Sequence, residues 1–339
     1  MNRLPKYVRL GFLTHLEGSE DARQVYREAL ELFTAADQLG FDVGWIAQHH
    51  FRTHPGRLPS PFPFLAAAAE RTSHLRLGTA VVTLPLEDPL RVAEDAAVVD
   101  LLSDGRLELG IGSGSEIGEF RAFGLELAQR RELTSNGLQS LQRALRGEAL
   151  TPDGERLDPP APSLLNRLWQ SGLSEGGVRF IAQQRTGLLL ARAAWESDKP
   201  TDAIQAPLAK LYHSLWQEAD GAEASTARIG LSRGVYLAPD KQQAASEMQE
   251  QVMRSAAGMV KKGQLPAGHS FDYYCRRMHI AYGNPAEVAE TLIADQVLPY
   301  TTDLILQFNP VVPPLKEAIH MLQQIAEEVM PRLRRADLG

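Results

Sequence analysis

The chain has 339 residues, of which 44% are hydrophobic and 23% are charged, as in a globular enzyme with one large domain or two smaller ones. A net charge of −7 argues against a nucleic-acid-binding protein, which would carry clustered positive charge. The single cysteine, Cys275, excludes an internal disulfide. No signal-peptide core and no apolar run of about 18 residues is present, so the sequence predicts a soluble cytoplasmic protein.

Strand-like and helix-like runs alternate along the chain. Apolar, β-branched runs predict strands at residues 7–13, 43–47, 75–84, 106–111, 168–171, 188–191, 228–236 and 303–308. Apolar residues at helical spacing predict helices at residues 21–39, 64–72, 89–102, 116–123, 138–146, 178–184, 208–219, 285–293 and 315–330.

The clearest unit is a strand, a helix and a second strand between residues 75 and 114. Asp88 is predicted to cap the helix, and Pro89 stands at its first position, where proline is favoured. The second strand ends in a glycine-rich turn, Gly110–Gly114. Parallel strands joined by a helix are the repeat of α/β sheets and barrels.

About eight such units in one chain predict an α/β fold of the (β/α)8 TIM-barrel type, with a doubly wound sheet as the alternative. No composition break divides the sequence, so a single domain over residues 1–339 is expected. Residues 258–278 are polar and irregular in pattern, and they are interpreted as an insertion that caps one face.

Catalytic and binding groups of a barrel lie at the carboxyl ends of its strands. Gly172–Gly177 connects a strand to a helix, and free amides at a helix N-terminus bind phosphate. Ser174 would donate its hydroxyl there, or it simply caps the helix in an ordinary loop.

His49 and His50 follow a predicted strand, where an imidazole would serve as a general base or have a structural role. His50 and His54 have the spacing of metal ligands, but no third ligand is placed, so no metal site is predicted. Arg130 and Arg131 are either a solvated charge pair or an anion clamp.

Together, these motifs resemble the bacterial luciferase-like family of flavin-dependent monooxygenases, which are TIM barrels. The resemblance covers nearly the whole chain. It is carried by residues 45–51 (WIAQHHF), 78–85 (GTAVVTLP), 88–89 (DP), 100–106 (DLLSDGR), 110–114 (GIGSG), 120–124 (FRAFG), 282–288 (YGNPAEV) and 328–333 (EVMPRL).

The resemblance implies a bulge at Thr79, Ala80 and Val81, often with a non-proline cis peptide, that supports the isoalloxazine ring. It also implies that His49 is the catalytic group. At Gln48 the family commonly has a glutamate, and the amide found here carries no negative charge.

Further cofactor-binding residues follow from the same resemblance. Ser113 stands where luciferase has a flavin-contacting arginine. Arg131 matches a phosphate-binding arginine, and Arg192 aligns with residues beside the ring. The phosphate loop is matched by Gly172, Leu173, Ser174, Gly176 and Gly177.

The function implied is that of a two-component monooxygenase. A separate reductase would supply reduced FMN (FMNH2), and O2 would oxidise a small organic substrate through a peroxyflavin. The alternatives are a deazaflavin-dependent hydride-transfer oxidoreductase and a non-catalytic flavin-binding homologue. An aromatic group suggests an apolar or aromatic substrate, although core packing explains it equally well: Phe51, Phe62, Phe64, Tyr273 and Tyr274.

Family members often form dimers through early barrel helices, so a homodimer is expected. Helix 64–72, with Leu65 and four consecutive alanines, has side chains small enough for close packing against a partner.

Overall fold

A computed structural model describes residues 8–52, 56–195, 198–218 and 227–335. His54 lies outside these ranges, so its predicted pairing with His50 is not described. None of the helices in the described ranges combines the length and the apolar character that crossing a membrane requires.

Ten strands and twelve α-helices are found in the described part of the chain. The strands are β1 (Arg9–Thr14), β2 (Val43–Ile46), β3 (Arg76–Thr79), β4 (Val82–Thr83), β5 (Leu107–Gly112), β6 (Leu168–Ser171), β7 (Gly187–Leu190), β8 (Ile229–Leu237), β9 (Ile280–Gly283) and β10 (Asp303–Gln307). The helices are α1 (Ala22–Gln38), α2 (Pro61–Ala69), α3 (Pro89–Leu102), α4 (Ile117–Ala122), α5 (Arg130–Leu145), α6 (Glu175–Gln183), α7 (Thr201–Glu218), α8 (Lys241–Lys261), α9 (Phe271–Arg277), α10 (Pro285–Ile293), α11 (Leu315–Gln324) and α12 (Met330–Arg335).

The chain divides into two compact units. The first unit comprises Leu13–Asp37 and Asp42–Ser171. In it, β2, β3, β5 and β6 pair in that order, all parallel, and β4 pairs with β5. Helix α3 packs against α2 and α5. Every residue of β2 and β5 is buried, as expected for parallel strands covered on both faces.

The second unit comprises Met1–Phe12, Gln38–Phe41 and Gly172–Gly339. Here β10 lies between β1 and β8, and β8 also pairs with β7 and β9, all in parallel. Strand β8 is long because its first half pairs with β7 and β10, whereas its last four residues pair with β9. The helix pairs α6–α7 and α8–α9 pack within this unit.

Two helices begin where their capping residues predict. Asp88 accepts hydrogen bonds from the amides of Leu90 and Arg91 at the start of α3. Asn284 caps α10 in the same way, and Glu287 completes a capping box. Both helices carry proline at the first position, so local sequence alone fixes their starts.

The predicted strand over 75–84 is interrupted. The structure has β3 and β4 there, separated by Ala80–Val81. The buried hydroxyl of Thr79 donates to the carbonyl of Gly110 and accepts from its amide, both at 2.8 Å. A side chain therefore replaces the ladder hydrogen bonds at the break.

Other boundaries differ from the predictions. Helix α5 begins at Arg130 rather than near residue 138. The apolar pattern did not indicate its first two turns, because their side chains are exposed or half-buried and few of them are apolar. Residues 258–278 are irregular only in part: α8 continues to Lys261 and α9 covers Phe271–Arg277, whereas residues 262–270 between them form neither helix nor strand. Their polar composition reflects exposed helical faces and a mostly exposed connection.

A buried charged cluster stabilises the second unit. Arg233 on β8 is fully buried, and its Nε lies 2.5 Å from Asp295 Oδ2. His279 Nε2 lies 2.9 Å from the same oxygen. Burial alone would raise the pKa of Asp295, but the Arg233 charge and the hydrogen bonds from His279 and Arg233 hold that pKa well below its usual range.

We expect Asp295→Asn to lower the free energy of unfolding by about 3–5 kcal/mol, because it leaves the Arg233 charge buried without its partner. Because the pKa of Asp295 is lower in the folded than in the unfolded state, its carboxylate stabilises the fold fully above the unfolded pKa of about 3.9. This stabilisation is lost as the pH falls toward the folded pKa. Urea denaturation at pH 7 measures the loss. The control is Glu250→Gln, which removes an exposed Glu250–Arg254 pair and should hardly change the midpoint. Equal effects of the two variants would contradict the role of the cluster.

Candidate functional site

The ends of β1 and β2 bring two histidines together in the first unit. His15 Nδ1 lies 3.0 Å from His49 Nε2, and the two rings meet edge to edge with centroids 5.3 Å apart and planes 21° apart. The strand ends are tied by a hydrogen bond from the Ala47 amide to the Thr14 carbonyl. The predicted catalytic residue therefore has an imidazole partner.

The pKa of His49 is lowered to about 4, and burial is the largest cause. The positive charge of Arg52 and the neighbouring His50 also lower this pKa, whereas the carboxylate of Glu116 opposes the shift. His49 is therefore neutral at pH 7, with one protonated ring nitrogen and one free to accept. Such an imidazole both gives and takes a proton.

Gln48 is buried and makes three hydrogen bonds. Its Nε2 donates to Glu87 Oε1 at 2.6 Å and to the Pro59 carbonyl at 2.9 Å. Its Oε1 accepts from the Thr83 amide at 2.7 Å. The amide thus connects the end of β2 to β4 and to a carboxylate that the sequence patterns did not single out.

Two further carboxylates, Glu116 and Glu119, hold the residues that follow His49. Arg52 forms ion pairs with Glu116 and, at 3.6 Å, with Glu119. Glu119 Oε1 also accepts the backbone amide of His50 at 3.2 Å. Burial raises the pKa of Glu119. These contacts join the β2 exit to helix α4.

Of the aromatic group noted in the sequence, Phe51 is 74% exposed, whereas Phe62, Phe64 and Tyr274 are buried core residues. Phe51 packs against Phe123, with ring centroids 5.7 Å apart. The buried His50 ring contacts both, at 5.8 Å from Phe51 and 5.0 Å from Phe123. An apolar surface therefore lies next to the histidines.

The structure has a non-proline cis peptide at Ala80–Val81, where the resemblance implied one. Ala80 donates its amide to the Ile46 carbonyl at 2.7 Å. Gly112 packs between the Val81 side chain and Ser171 Oγ, which would lie 3.0 Å from an added Cβ. Ser113, the next residue, is half-buried directly after β5.

The predicted phosphate loop lies in the second unit, at the N-terminus of α6. Ser174 caps the helix, and its Oγ accepts from the Gly177 amide at 3.3 Å. The Gly172 amide donates to the Leu189 carbonyl, and its α-carbon packs against core side chains. Leu173 is half-exposed. A Cβ added at Gly176 would meet no atom within 4 Å, so the helix start is open on that side.

The two predicted arginines differ in their surroundings. Arg131 is exposed in the first turn of α5, in the first unit. Arg192 follows β7 in the second unit, and its Nη1 donates to the Met278 carbonyl at 2.8 Å. That bond ties the end of segment 258–278 to the exit of β7.

The sequence singled out His49, Gln48 and the α6 loop as candidates but assigned no roles to His15, Glu87 or Arg52. His15 also follows a strand, and this position was the available signal. Glu87 and Arg52 lie in loops whose partners are 39 and 64 residues distant in sequence, so no local pattern indicates them.

We expect Gln48→Glu to destabilise the protein by about 1–3 kcal/mol, because a carboxylate would face Glu87 and lose both donated hydrogen bonds. Two facing carboxylates at positions 48 and 87 of the variant raise the pKa of that pair above the unfolded value for glutamate of about 4.3. The free energy of unfolding should therefore fall as the pH rises above that value. Urea midpoints at pH 5 and pH 8 measure this. The exchange Gln48→Glu with Glu87→Gln restores one amide and one carboxylate and should recover most of the loss. A single variant as stable at pH 8 as the unsubstituted protein would contradict this interpretation.

Comparison with known proteins identifies the family. The model of the luciferase-like monooxygenase family matches residues 9–300. An uncharacterized protein of Sinorhizobium fredii is 41% identical over 46% of this chain and 45% of its own length. The 4-hydroxyprotoasukamycin monooxygenase of Streptomyces nodosus is 30% identical over 71% of this chain and 66% of its own. The oxygenase component of the flavin-dependent trigonelline monooxygenase of Acinetobacter baylyi is 28% identical over 62% and 48%. The match thus spans less than two thirds of these relatives.

Solved structures match nearly the whole chain. Monooxygenase RslO1 from Streptomyces bottropensis has a TM-score of 0.79 at 24% identity, covering 96% of this chain and 99% of its own. The oxygenating constituent of 3,6-diketocamphane monooxygenase from Pseudomonas putida, in complex with FMN, has a TM-score of 0.76 at 16% identity over 96% and 98%. The coenzyme F420-dependent tetrahydromethanopterin reductase of Methanopyrus kandleri has 0.72 at 16% identity over 96% and 99%.

The parallel strands with intervening helices and the similarity to these structures confirm the predicted (β/α)8 TIM-barrel fold. The chain therefore belongs to the luciferase-like monooxygenase family.

Proposed function

We propose that this protein is the oxygenase component of a two-component monooxygenase that uses reduced FMN and O2. The family match carries the proposal, since it covers residues 9–300. A relative described as an oxygenase component and a similar structure in complex with FMN support the cofactor and the separate reductase. FMN would supply the oxygen chemistry when bound, and the protein would bind, orient and protect it.

The residues at the α6 N-terminus fit the phosphate group of FMN. First-turn amides have no partner within the helix, and the helix dipole favours an anion at this end. The open side of Gly176 leaves room for the phosphate, and the Ser174 hydroxyl adds a donor. The amides of Gly172 and Gly177 already have partners, so Glu175 and Gly176 are the better donors. Arg131, exposed and cationic, is proposed to contribute to anion binding.

His49 is proposed as the acid–base group of the reaction. Its lowered pKa keeps the imidazole neutral at pH 7, so it holds a proton on one nitrogen and accepts on the other. Gln48 is proposed to hold the β2 exit in place rather than to carry charge, since its amide is used in three hydrogen bonds. Thr79, Ala80, Val81, Ser113 and Arg192 are proposed to contact the cofactor.

We propose an apolar or aromatic organic substrate. The exposed rings of Phe51 and Phe123 lie against His50 and are available to contact it. Segment 258–278 is proposed to cap the site. Its end is held at the start of α7, where Arg277 donates to the Lys199 carbonyl at 2.8 Å and its own carbonyl accepts from Thr201 Oγ1.

A homodimer is also proposed, although not through Leu65, which is completely buried within one chain. The outward face of α3 is the better candidate, because its Val98, Leu101 and Leu102 are between 45% and 61% exposed. The buried thiol of Cys275, whose pKa burial raises to about 12, is consistent with the reducing cytoplasm that we propose as its location.

The alternative is hydride transfer with a deazaflavin on the same fold. It is favoured by the similarity to the F420-dependent reductase, whose TM-score of 0.72 is close to that of the FMN complex. Cofactor binding separates the two proposals, and a protein that binds flavin without turnover would be the non-catalytic homologue.

We expect Gly176→Val to weaken reduced FMN binding about tenfold or more while leaving riboflavin binding unchanged, because the added side chain blocks the phosphate only. Anaerobic fluorescence titration with reduced FMN, reduced riboflavin and reduced F420 measures this. The control is Glu250→Gln, an exposed position on α8 outside the capping segment. Tighter binding of F420 than of FMN would support the hydride-transfer alternative. Equal binding of FMN and riboflavin would contradict the phosphate site.

A further inference from the structure

One short segment holds both histidines at the β1 and β2 exits. The Arg57 amide donates to the His15 carbonyl at 3.3 Å, and the His49 amide donates to the Leu58 carbonyl at 2.9 Å. Gly56 precedes them, and a Cβ there would lie 2.6 Å from both the His15 carbonyl oxygen and His49 Cδ2. The backbone of Gly56–Leu58 therefore sets the position of one histidine relative to the other.

Gly56 also has a φ of +102°, a conformation that side-chain-bearing residues rarely adopt. Glycine is thus required here twice, for the backbone and for the space beside the rings. The outcome is the 3.0 Å contact between His15 Nδ1 and His49 Nε2 in a partly buried location. Two neutral imidazoles form that bond only when one facing nitrogen carries the proton and the other accepts it.

We propose that His15 is the positioning residue of His49, and that the two imidazoles share one proton across the Nδ1–Nε2 hydrogen bond and act as a single acid–base unit. Its use in catalysis rests on the proposed role of His49, whereas the shared proton depends only on the geometry of the two rings.

The unit would move protons without building up charge. When His49 gives the proton on Nδ1 to a reacting anion, its Nε2 takes the proton from His15 Nδ1. His15 Nε2 then takes a proton from solvent, and both rings end neutral in the opposite tautomers. The net transfer is one proton from solvent to the reacting group. A single buried imidazole that gave up its proton would become negatively charged, because no neighbouring ring would replace that proton.

The surrounding charges favour this neutral mode. Arg52 opposes a second positive charge at His49, and so does burial. The carboxylate of Glu116 favours protonation of His49, but Glu116 is paired with Arg52. His50, whose pKa is lowered mainly by burial, adds no positive charge at neutral pH.

The test is ¹⁵N NMR of the histidine rings in the protein without added cofactor, recorded from pH 8 downward. We expect the first proton taken up as pH falls to be shared, so that the rings of His15 and His49 both respond in the same macroscopic step, with the second proton bound only at lower pH. His15→Phe keeps an aromatic ring beside His49 but removes both nitrogens. We expect it to shift His49 protonation about one pH unit lower, because the imidazolium loses its acceptor.

Gly56→Ala supplies a second perturbation that leaves both histidines in the sequence. Its Cβ would push the rings apart, so each ring should then respond in a titration step of its own instead of both responding in the same one. Gly154→Ala is the control, because Gly154 has a similar φ of +95° and no atom within 4 Å of an added Cβ. Independent titration of the two rings in the unsubstituted protein, or no shift of His49 in His15→Phe, would overturn the proposal.

This readout needs no flavin, so the failures are distinguishable. Coupled titration in a protein that does not react with reduced FMN would refute the proposed function and leave the shared proton intact. If both hold, His15→Phe and His49→Phe should each slow turnover, and the double variant should be no slower than His49→Phe. Additive losses would show that His15 does not act through His49.

Discussion

The side chain of Gln48 holds together the segments on which the candidate site depends. One buried amide joins the end of β2 to the Thr83 amide, the Pro59 carbonyl and the Glu87 carboxylate. Because its donors and its acceptor are all used, the position suits an amide and not a second carboxylate. Its backbone leads directly to His49, so this hydrogen-bonded junction fixes where the imidazole begins.

Burial and the neighbouring charges then set the protonation state of His49. Burial keeps His49 neutral, and the nearby Arg52 charge makes protonation still less favourable. The same arginine is tied to α4 through Glu116 and Glu119, so one ion-pair network both orders the loop and sets the acid–base properties of its histidine. A hydrogen-bonded partner, His15, completes the surroundings. The proposed chemistry would therefore depend on neutral groups that exchange protons rather than on fixed charge.

The parts of the fold that local sequence controls could be predicted. Asp88 and Asn284 mark helix starts because capping is a contact over two or three residues. The alternation of about eight strands and helices predicted the barrel, and the family resemblance singled out His49. The break between β3 and β4 was expected from the same resemblance and not from the apolar pattern, since Thr79 bridges to a strand 31 residues away. The His15–His49 contact joins residues 34 apart, and no periodicity encodes such a pair.

The most direct measurement is the oxidation of reduced FMN by O2 in a stopped-flow spectrophotometer, with and without one equivalent of protein. We predict that the protein changes the time course from that of free flavin, and that His49→Phe changes it again while Glu250→Gln does not. Product analysis should then show an oxygen atom from O2 in an apolar substrate. Oxidation indistinguishable from that of free flavin, together with hydride transfer from reduced F420, would contradict the monooxygenase proposal.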